Sequence, residues 1–221
     1  MNRESKLGVF GGTFNPIHVG HLRAAEQVLE NLQLDAMVFV PSAHPPHKVH
    51  EEHDPVAPAR TRLEWVRAAI QPHPRFRVDT IELDRGGASY TVDTLREISR
   101  RITPATPVFS IGCDAFEEVC SWREPQALFA LAHFAVTTRP PVDTGHLEQW
   151  LPKCIRDDVV LSDDGRSACH RTAGTWIRSV EISGLNVSAS EVRERLRNGQ
   201  PVNHLLPAEI REAVVQSGVY R

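Results

Sequence analysis

Leu7-Gly8-Val9-Phe10-Gly11-Gly12-Thr13-Phe14-Asn15-Pro16-Ile17-His18-Val19-Gly20-His21 runs from a short apolar segment through a glycine pair into an amphipathic pattern. Residues 7–10 have the length and character of a buried strand. In residues 20–32, Leu22, Ala25, Val28, Leu29 and Leu32 share one helical face. A strand, a glycine-rich turn and a helix in succession form a unit whose helix N-terminus offers free N–H groups and a positive dipole end to an anion. The missing Cβ of Gly11 and Gly12 lets the backbone approach a phosphate and take positive φ. Taken alone, a glycine pair after a strand is equally well a tight turn.

The same alternation continues outward. Residues 36–40 read as a strand stopped by Pro41, and residues 59–71 as a helix with Leu63, Val66 and Ile70 on one face. Residues 76–83 alternate as a strand does. Residues 91–102 are helical, 108–111 form a strand ending at Gly112, 125–132 a helix, and 133–138 a strand broken by Arg139-Pro140-Pro141. Residues 176–182 are a strand; helices cover about 188–197 and 207–216. Residues 142–174 show no readable pattern. Strands joined by helix-length crossovers predict an α/β fold with a mostly parallel sheet covered on both faces. We expect a single domain over residues 1–221, with a small helical part at about 186–221. Ligands of such sheets bind beyond the carboxyl ends of the strands. The glycine turn, Gly112-Cys113-Asp114 and Arg139 all fall at that edge.

Composition narrows the class. The chain has 221 residues, 41% hydrophobic and 24% charged, with a net charge of −3. That is ordinary for a soluble globular protein and carries no electrostatic footprint for nucleic acid. Arg193, Arg195 and Arg197 cluster locally, enough for one small anion. The four cysteines, Cys113, Cys120, Cys154 and Cys169, form no Cys-x-x-Cys pair, and their spacing suggests no disulfide framework. A reducing, cytoplasmic setting is therefore expected, and no segment approaches a membrane span.

His18 and His21 stand three apart around Gly20, so both can face one anion as compact donors. Gly20 leaves room for a nucleotide ring or phosphate. The same spacing can ligate zinc, but no cysteine or carboxylate lies beside it at ligand spacing. Residues 42–58 hold His44, His47, His50, His53 and Lys48, and Pro45-Pro46 argues against a helix there. They read either as a solvated polar loop or as a flap whose Lys48 and His47 grip phosphate. In Asn186-Val187-Ser188-Ala189-Ser190-Glu191-Val192-Arg193, Ser188 or Ser190 can cap the following helix, with Ser190 and Arg193 one turn apart. An anion there would meet N–H groups, a hydroxyl and a guanidinium together. Ser89-Tyr90-Thr91 opens a helix after Gly86-Gly87, as a cap or as a contact to a small polar substrate. Trp122 suits either the core or stacking on a heteroaromatic ring.

Taken together, these segments resemble a known family. Residues 11–21 look like the His-x-Gly-His motif of the adenylyltransferases related to class I aminoacyl-tRNA synthetases. Pro45-Pro46-His47-Lys48, Ser89-Tyr90-Thr91 with Thr94-Leu95, Ile111-Gly112-Cys113-Asp114, Trp122, Arg139-Pro140 and Val187-Ser188-Ala189-Ser190 with Arg193 are similar to the bacterial nicotinate-nucleotide adenylyltransferases. So are Leu205-Leu206-Pro207 and Gly218-Val219-Tyr220. The likeness spans nearly the whole chain in order. It implies a Rossmann-like doubly wound fold and a reaction in which ATP and nicotinate mononucleotide give deamido-NAD and pyrophosphate, with Mg²⁺ accompanying ATP. The resemblance implies that ATP is held by Gly11, Gly12, Thr13, Phe14, His18, Gly20, His21, Gly112, Arg139, Ser188, Ser190 and Arg193. The acceptor would meet His47, Lys48, Tyr90, Thr91, Asp114, Trp122 and Arg123. His18, His21, Lys48 and Arg193 would carry catalysis. Two departures stand out: Arg123 replaces a common aromatic, placing a cation where the nicotinate carboxylate would lie, and Asn15 replaces a common aspartate. No metal ligands, nucleic acid or membrane are expected, and a homo-oligomer is left open.

The chemistry expected of such a site is spare. A phosphate monoester, with its second pKa of about 6, is already largely ionised at neutral pH and needs no general base. What remains is alignment and charge neutralisation. Rival readings are a sister transferase with another acceptor such as phosphopantetheine, a nucleotide sensor without catalysis, and a nucleic-acid-binding module.

Overall fold

The computed structural model of the chain describes residues 6–44, 55–138, 147–183 and 187–221. The first strand, β1 (Leu7–Gly12), pairs in parallel with β2 (Ala36–Pro41) on one side and β4 (Val108–Gly112) on the other. β3 (Phe76–Val78) adds outside β2, and β5 (His133–Thr138) and β8 (Trp176–Glu181) add outside β4, all parallel. β7 (Ser167–His170) and β6 (Val159–Leu161) extend the far edge in antiparallel fashion. The full order is β3-β2-β1-β4-β5-β8-β7-β6. Strand order reverses direction between β1 and β4, and the crevice at such a switch point is where doubly wound sheets take ligands.

Period-two alternation sorts the strand side chains between two cores. Along β2, Met37 and Phe39 join one cluster while Val38 and Val40 join the other. The first cluster packs α1 (Val19–Asn31), α2 (Ala59–Ile70), α8 (Ala189–Arg197) and α9 (Ala208–Gln216) through residues such as Val28, Val66, Val192 and Val214. The second packs α4 (Thr91–Ile102), α5 (Cys113–Glu117), α6 (Pro125–Leu131) and α7 (Leu147–Trp150) through Leu95, Phe116, Phe129 and Trp150. Helices on both faces thus bury β2 and nearly all of β4 and β5. No helix among the described residues is long and apolar enough to cross a membrane.

Two sequence expectations are corrected. The strand expected over 76–83 stops at Val78, because the Asp79 carboxylate accepts from Ile81 N at 2.9 Å and turns the chain into the short helix α3 (Ile81–Arg85). The cysteines do contain a pair: Cys120 and Cys154 form a disulfide across 34 positions, leaving Cys113 and Cys169 as thiols. Linear spacing could not show this, because the two meet only when the turn after α5 packs near the segment leading to β6. The unreadable stretch contains, from Leu147 on, α7 and the β6–β7 hairpin.

Candidate active site

The turn after β1 lies at the switch point, and its conformation departs from the expectation built on glycine. Gly11 and Gly12 do not take positive φ; the left-handed residue is Phe14, at φ 49°. A non-glycine there is uncommon and persists where packing fixes it. The Phe14 ring is buried and contacts Phe10, Phe39 and His21, the last edge-on at 5.2 Å between centroids.

His18 caps α1 with extended backbone, φ −140° and ψ 169°, and is 6% exposed. His18 N donates to His21 Nδ1 at 3.1 Å, and the two rings stack at 3.6 Å. With Nδ1 acting as acceptor, the proton of a neutral His21 ring sits on Nε2. The ring is wedged between the face of His18 and the edge of Phe14. The pair therefore forms a fixed donor at a helix N-terminus, suited to a phosphate oxygen. An Nδ1 already engaged by backbone N–H is a poor start for the zinc alternative, and no cluster of three or more metal-ligating side chains occurs among the described residues. Gly20 also has a packing use. A Cβ there would meet the His18 ring at 3.0 Å and Val187 O at 3.4 Å, so this glycine lets α1 and the entry to α8 approach each other.

The α8 segment reaches the same turn. Ser188 caps α8 by accepting from Glu191 N at 3.1 Å. Arg193, 5% exposed, donates to Asn15 O at 2.9 Å and to Ser190 Oγ at 3.1 Å. The structure thus brings together Thr13, Phe14, His18, His21, Ser190 and Arg193, as the sequence implied, with Arg193 also bracing the turn.

The residues expected around the acceptor gather on the second core. Tyr90 caps α4, Thr91 begins it, and Tyr90 and Trp122 both pack against that core. The Arg123 guanidinium lies over the Tyr90 ring at 4.8 Å, with Asp93 and Glu124 at 3.9 and 3.7 Å. Arg123, the residue that departs from the family's aromatic, therefore stands against the Tyr90 ring. Gly112 caps α5 after β4, and Asp114 lies exposed in its first turn. Burial, and then the Asp114 carboxylate, push the Cys113 thiol pKa up. Ser89 Oγ accepts from Ala43 N at 2.9 Å, joining this segment to the exit of β2. His47, Lys48, Arg139 and Asn186 lie outside the described residues.

Arg62 went unread in the sequence, and Asn15 was noted there only as a departure, without its structural role. Arg62 of α2 is 1% exposed and donates to backbone carbonyls of Thr13, Ser42, Ala43 and Ala57. Asn15, 3% exposed, accepts from Ala57 N and Tyr220 Oη and donates to Pro55 O. Backbone carbonyls leave no mark in a sequence; the one legible hint was a polar residue lodged in an apolar motif.

A β1–turn–α1 unit with stacked histidines at the switch point of a doubly wound sheet places the chain in a nucleotide-binding α/β class. Consistent with it, a sequence profile of the cytidylyltransferase-like family matches residues 9–195. A probable nicotinate-nucleotide adenylyltransferase of Trichlorobacter lovleyi is 39% identical over 220 residues, 98% of this chain and 99% of that protein. One from Geotalea daltonii is 36% identical over 215 residues, 97% and 98% of the two chains. The Plasmodium falciparum nicotinic acid mononucleotide adenylyltransferase complexed with NaAD superposes with a TM-score of 0.71, covering 98% of this chain and 97% of that one. At 16% identity this last likeness speaks for the fold. The chain belongs to the cytidylyltransferase-like family and, within it, to the nicotinate-nucleotide adenylyltransferases.

Proposed function

We propose that the chain transfers AMP from ATP to nicotinate mononucleotide, giving deamido-NAD and pyrophosphate in NAD biosynthesis, by direct in-line displacement. Full-length relatives at 33–39% identity name the reaction. The observation that carries the mechanism is the His18–His21 pair, whose hydrogen bond engages His21 Nδ1 as acceptor and leaves Nε2 to carry the donor proton. A phosphate oxygen of the mononucleotide attacks the α-phosphorus of ATP. The new P–O bond forms as the bond to pyrophosphate breaks, and pyrophosphate leaves with the electron pair. His18 and His21 offer hydrogen bonds to the charge developing on phosphate oxygens, worth most where they are held in place beforehand. Lys48 supplies a further positive charge and Arg193 braces the turn. Tyr90, Thr91, Trp122 and Arg123 border the nicotinate ring, and Asp114 takes the ribose.

The donor set at the turn is imidazole and backbone N–H, which suits an anion rather than a bare cation. Mg²⁺ fits this site as the partner of the triphosphate, where it would neutralise charge on the departing pyrophosphate. No protein nucleophile is required. Cys113, the thiol at this edge, has a raised pKa and is poorly suited to one.

The test is pyrophosphate release from ATP and Mg²⁺ with nicotinate mononucleotide, nicotinamide mononucleotide and phosphopantetheine in turn. Release with the first acceptor is expected; its absence would overturn the assignment. A chiral α-phosphorothioate should react with inversion at phosphorus, and net retention would overturn the direct transfer.

A further inference from the structure

Arg62 is an unusual charge to find inside a fold. It is 1% exposed, and burial draws its pKa down from the ordinary value. No described carboxylate forms a salt bridge with it. Its partners are carbonyls: Nε to Ala57 at 2.9 Å, Nη1 to Thr13 at 2.5 Å, and Nη2 to Ser42 at 2.7 Å and Ala43 at 3.2 Å. Burying a guanidinium is expensive, and an apolar side chain on the same face of α2 would avoid that cost. The four bonds offset it, and their addresses suggest what the residue is for.

Thr13 lies in the turn after β1, between Gly12 and the left-handed Phe14. Ser42 and Ala43 lie at the exit of β2, and Ala43 N is bonded to Ser89 Oγ, next to Tyr90. Ser89 N in turn donates to His44 O at 3.0 Å. One planar guanidinium therefore spans from the phosphate turn to the backbone that carries the acceptor segment. Guanidinium suits this because its donors have fixed directions, whereas an ammonium is a point charge with rotatable donors.

We propose that Arg62 is a positioning residue that sets the placement of the ATP turn relative to the acceptor segment 89–91, through Thr13 on one side and Ala43–Ser89 on the other. This rests on the transfer reaction proposed above. Arg62 touches neither substrate; it holds two half-sites at the separation that in-line attack needs. Its loss should leave each substrate binding on its own and impair the step that needs both. Misplacement of about 1 Å can lower a rate on the order of a hundredfold.

The test compares wild type with Arg62→Lys, Ser89→Ala and the double variant. For each, ATP and nicotinate mononucleotide binding are measured separately by calorimetry, kcat by pyrophosphate release, and folding by thermal melting. Arg62→Lys keeps the charge and stem, so it is the variant expected to fold. Its kcat should fall at least about tenfold, with each Kd changed less than about threefold. Ser89→Ala should fall in the same manner, and the two effects should be clearly less than additive because they interrupt one connection. An unchanged kcat in folded Arg62→Lys, an equal weakening of substrate binding, or fully additive effects would each overturn the proposal. Were wild type itself inactive with nicotinate mononucleotide, the reaction assignment would fail instead.

Discussion

The Tyr220 hydroxyl donates to Asn15 Oδ1 at 2.5 Å, joining the turn after β1 to a residue 205 positions later. The same oxygen accepts from Ala57 N at 2.9 Å, while Asn15 Nδ2 donates to Pro55 O at 3.0 Å and Asn15 O accepts from Arg193. One buried asparagine, through its side-chain amide and its backbone carbonyl, thus gathers the turn, the approach to α2, α8 and the segment after α9. The choice of asparagine follows: an aspartate could accept from Tyr220 and Ala57 but could not donate to Pro55 O. The turn proposed above to face phosphate is held by groups that need not touch it.

Tyr220→Phe should therefore cost about 1 kcal/mol of stability, at the low end because Asn15 Oδ1 keeps the Ala57 bond. The ring, 2% exposed and 6.2 Å from Trp65, stays packed. Tyr220→Ala should cost about 3–5 kcal/mol, since a buried ring is lost as well. Urea unfolding of the three proteins measures both differences. A phenylalanine variant as stable as wild type would show that the hydroxyl bond contributes nothing.

His21 has two ring nitrogens with separate duties, and substitutions can divide them. His21→Ala should lower kcat on the order of a hundredfold or more while ATP affinity changes little. Asparagine can place an oxygen near Nδ1 and keep the bond from His18 N; glutamine can place an N–H near Nε2. Activity should be higher in His21→Gln than in His21→Asn if the donor role matters for transfer. The reverse order in steady-state kinetics would assign His21 to capping alone.

Legibility followed the kind of signal each feature leaves. Helix α4 at Thr91–Ile102 and strand β5 at His133–Thr138 have the bounds their patterns gave, because apolar periodicity reports burial directly. The β6–β7 hairpin did leave a signal, Asp163-Asp164-Gly165 with Gly165 at φ 67°, but its strands are three and four residues long and too short to show alternation. The 11–21 and 188–193 segments were readable because helix starts and their caps are local. Arg62 was not, because a guanidinium bonded to four carbonyls looks, in sequence, like any arginine on a helix. Phe14 was not, because its left-handed backbone is imposed by packing rather than by its own preference.

The Cys120–Cys154 disulfide lies two residues before Trp122. Closing a loop of this length removes unfolded-chain entropy worth roughly 2–4 kcal/mol. Alkylation of the denatured, unreduced protein should modify two cysteines, and reduction first should raise this to four. The reduced protein should melt at a lower temperature, as should Cys120→Ser. Four modified cysteines without reductant would remove the bond from the fold.

His133 gives the fold a pH dependence whose sign can be worked out. Its ring is stacked on Trp176 at 4.5 Å and 8°, and Nδ1 accepts from Trp176 N at 3.0 Å. Burial, followed by the charge of Arg178, which lies over the Trp176 ring at 4.6 Å, lowers its pKa from 6.5 to about 4. Between those values the unfolded chain binds a proton that the folded chain refuses. Stability is thus unaffected by this group above about pH 6.5 and falls as the pH drops toward about 4. His133→Asn, which can keep an acceptor near Nδ1 but does not titrate, should lose less stability across the same window. Urea midpoints at several pH values from about 4 to about 7.5 give the comparison, with m-values checked for constancy. Parallel curves for the two proteins would show that His133 does not govern this slope. Convergence of the curves with falling pH would locate the acid sensitivity at the amino ends of β5 and β8, the opposite edge of the sheet from the phosphate turn.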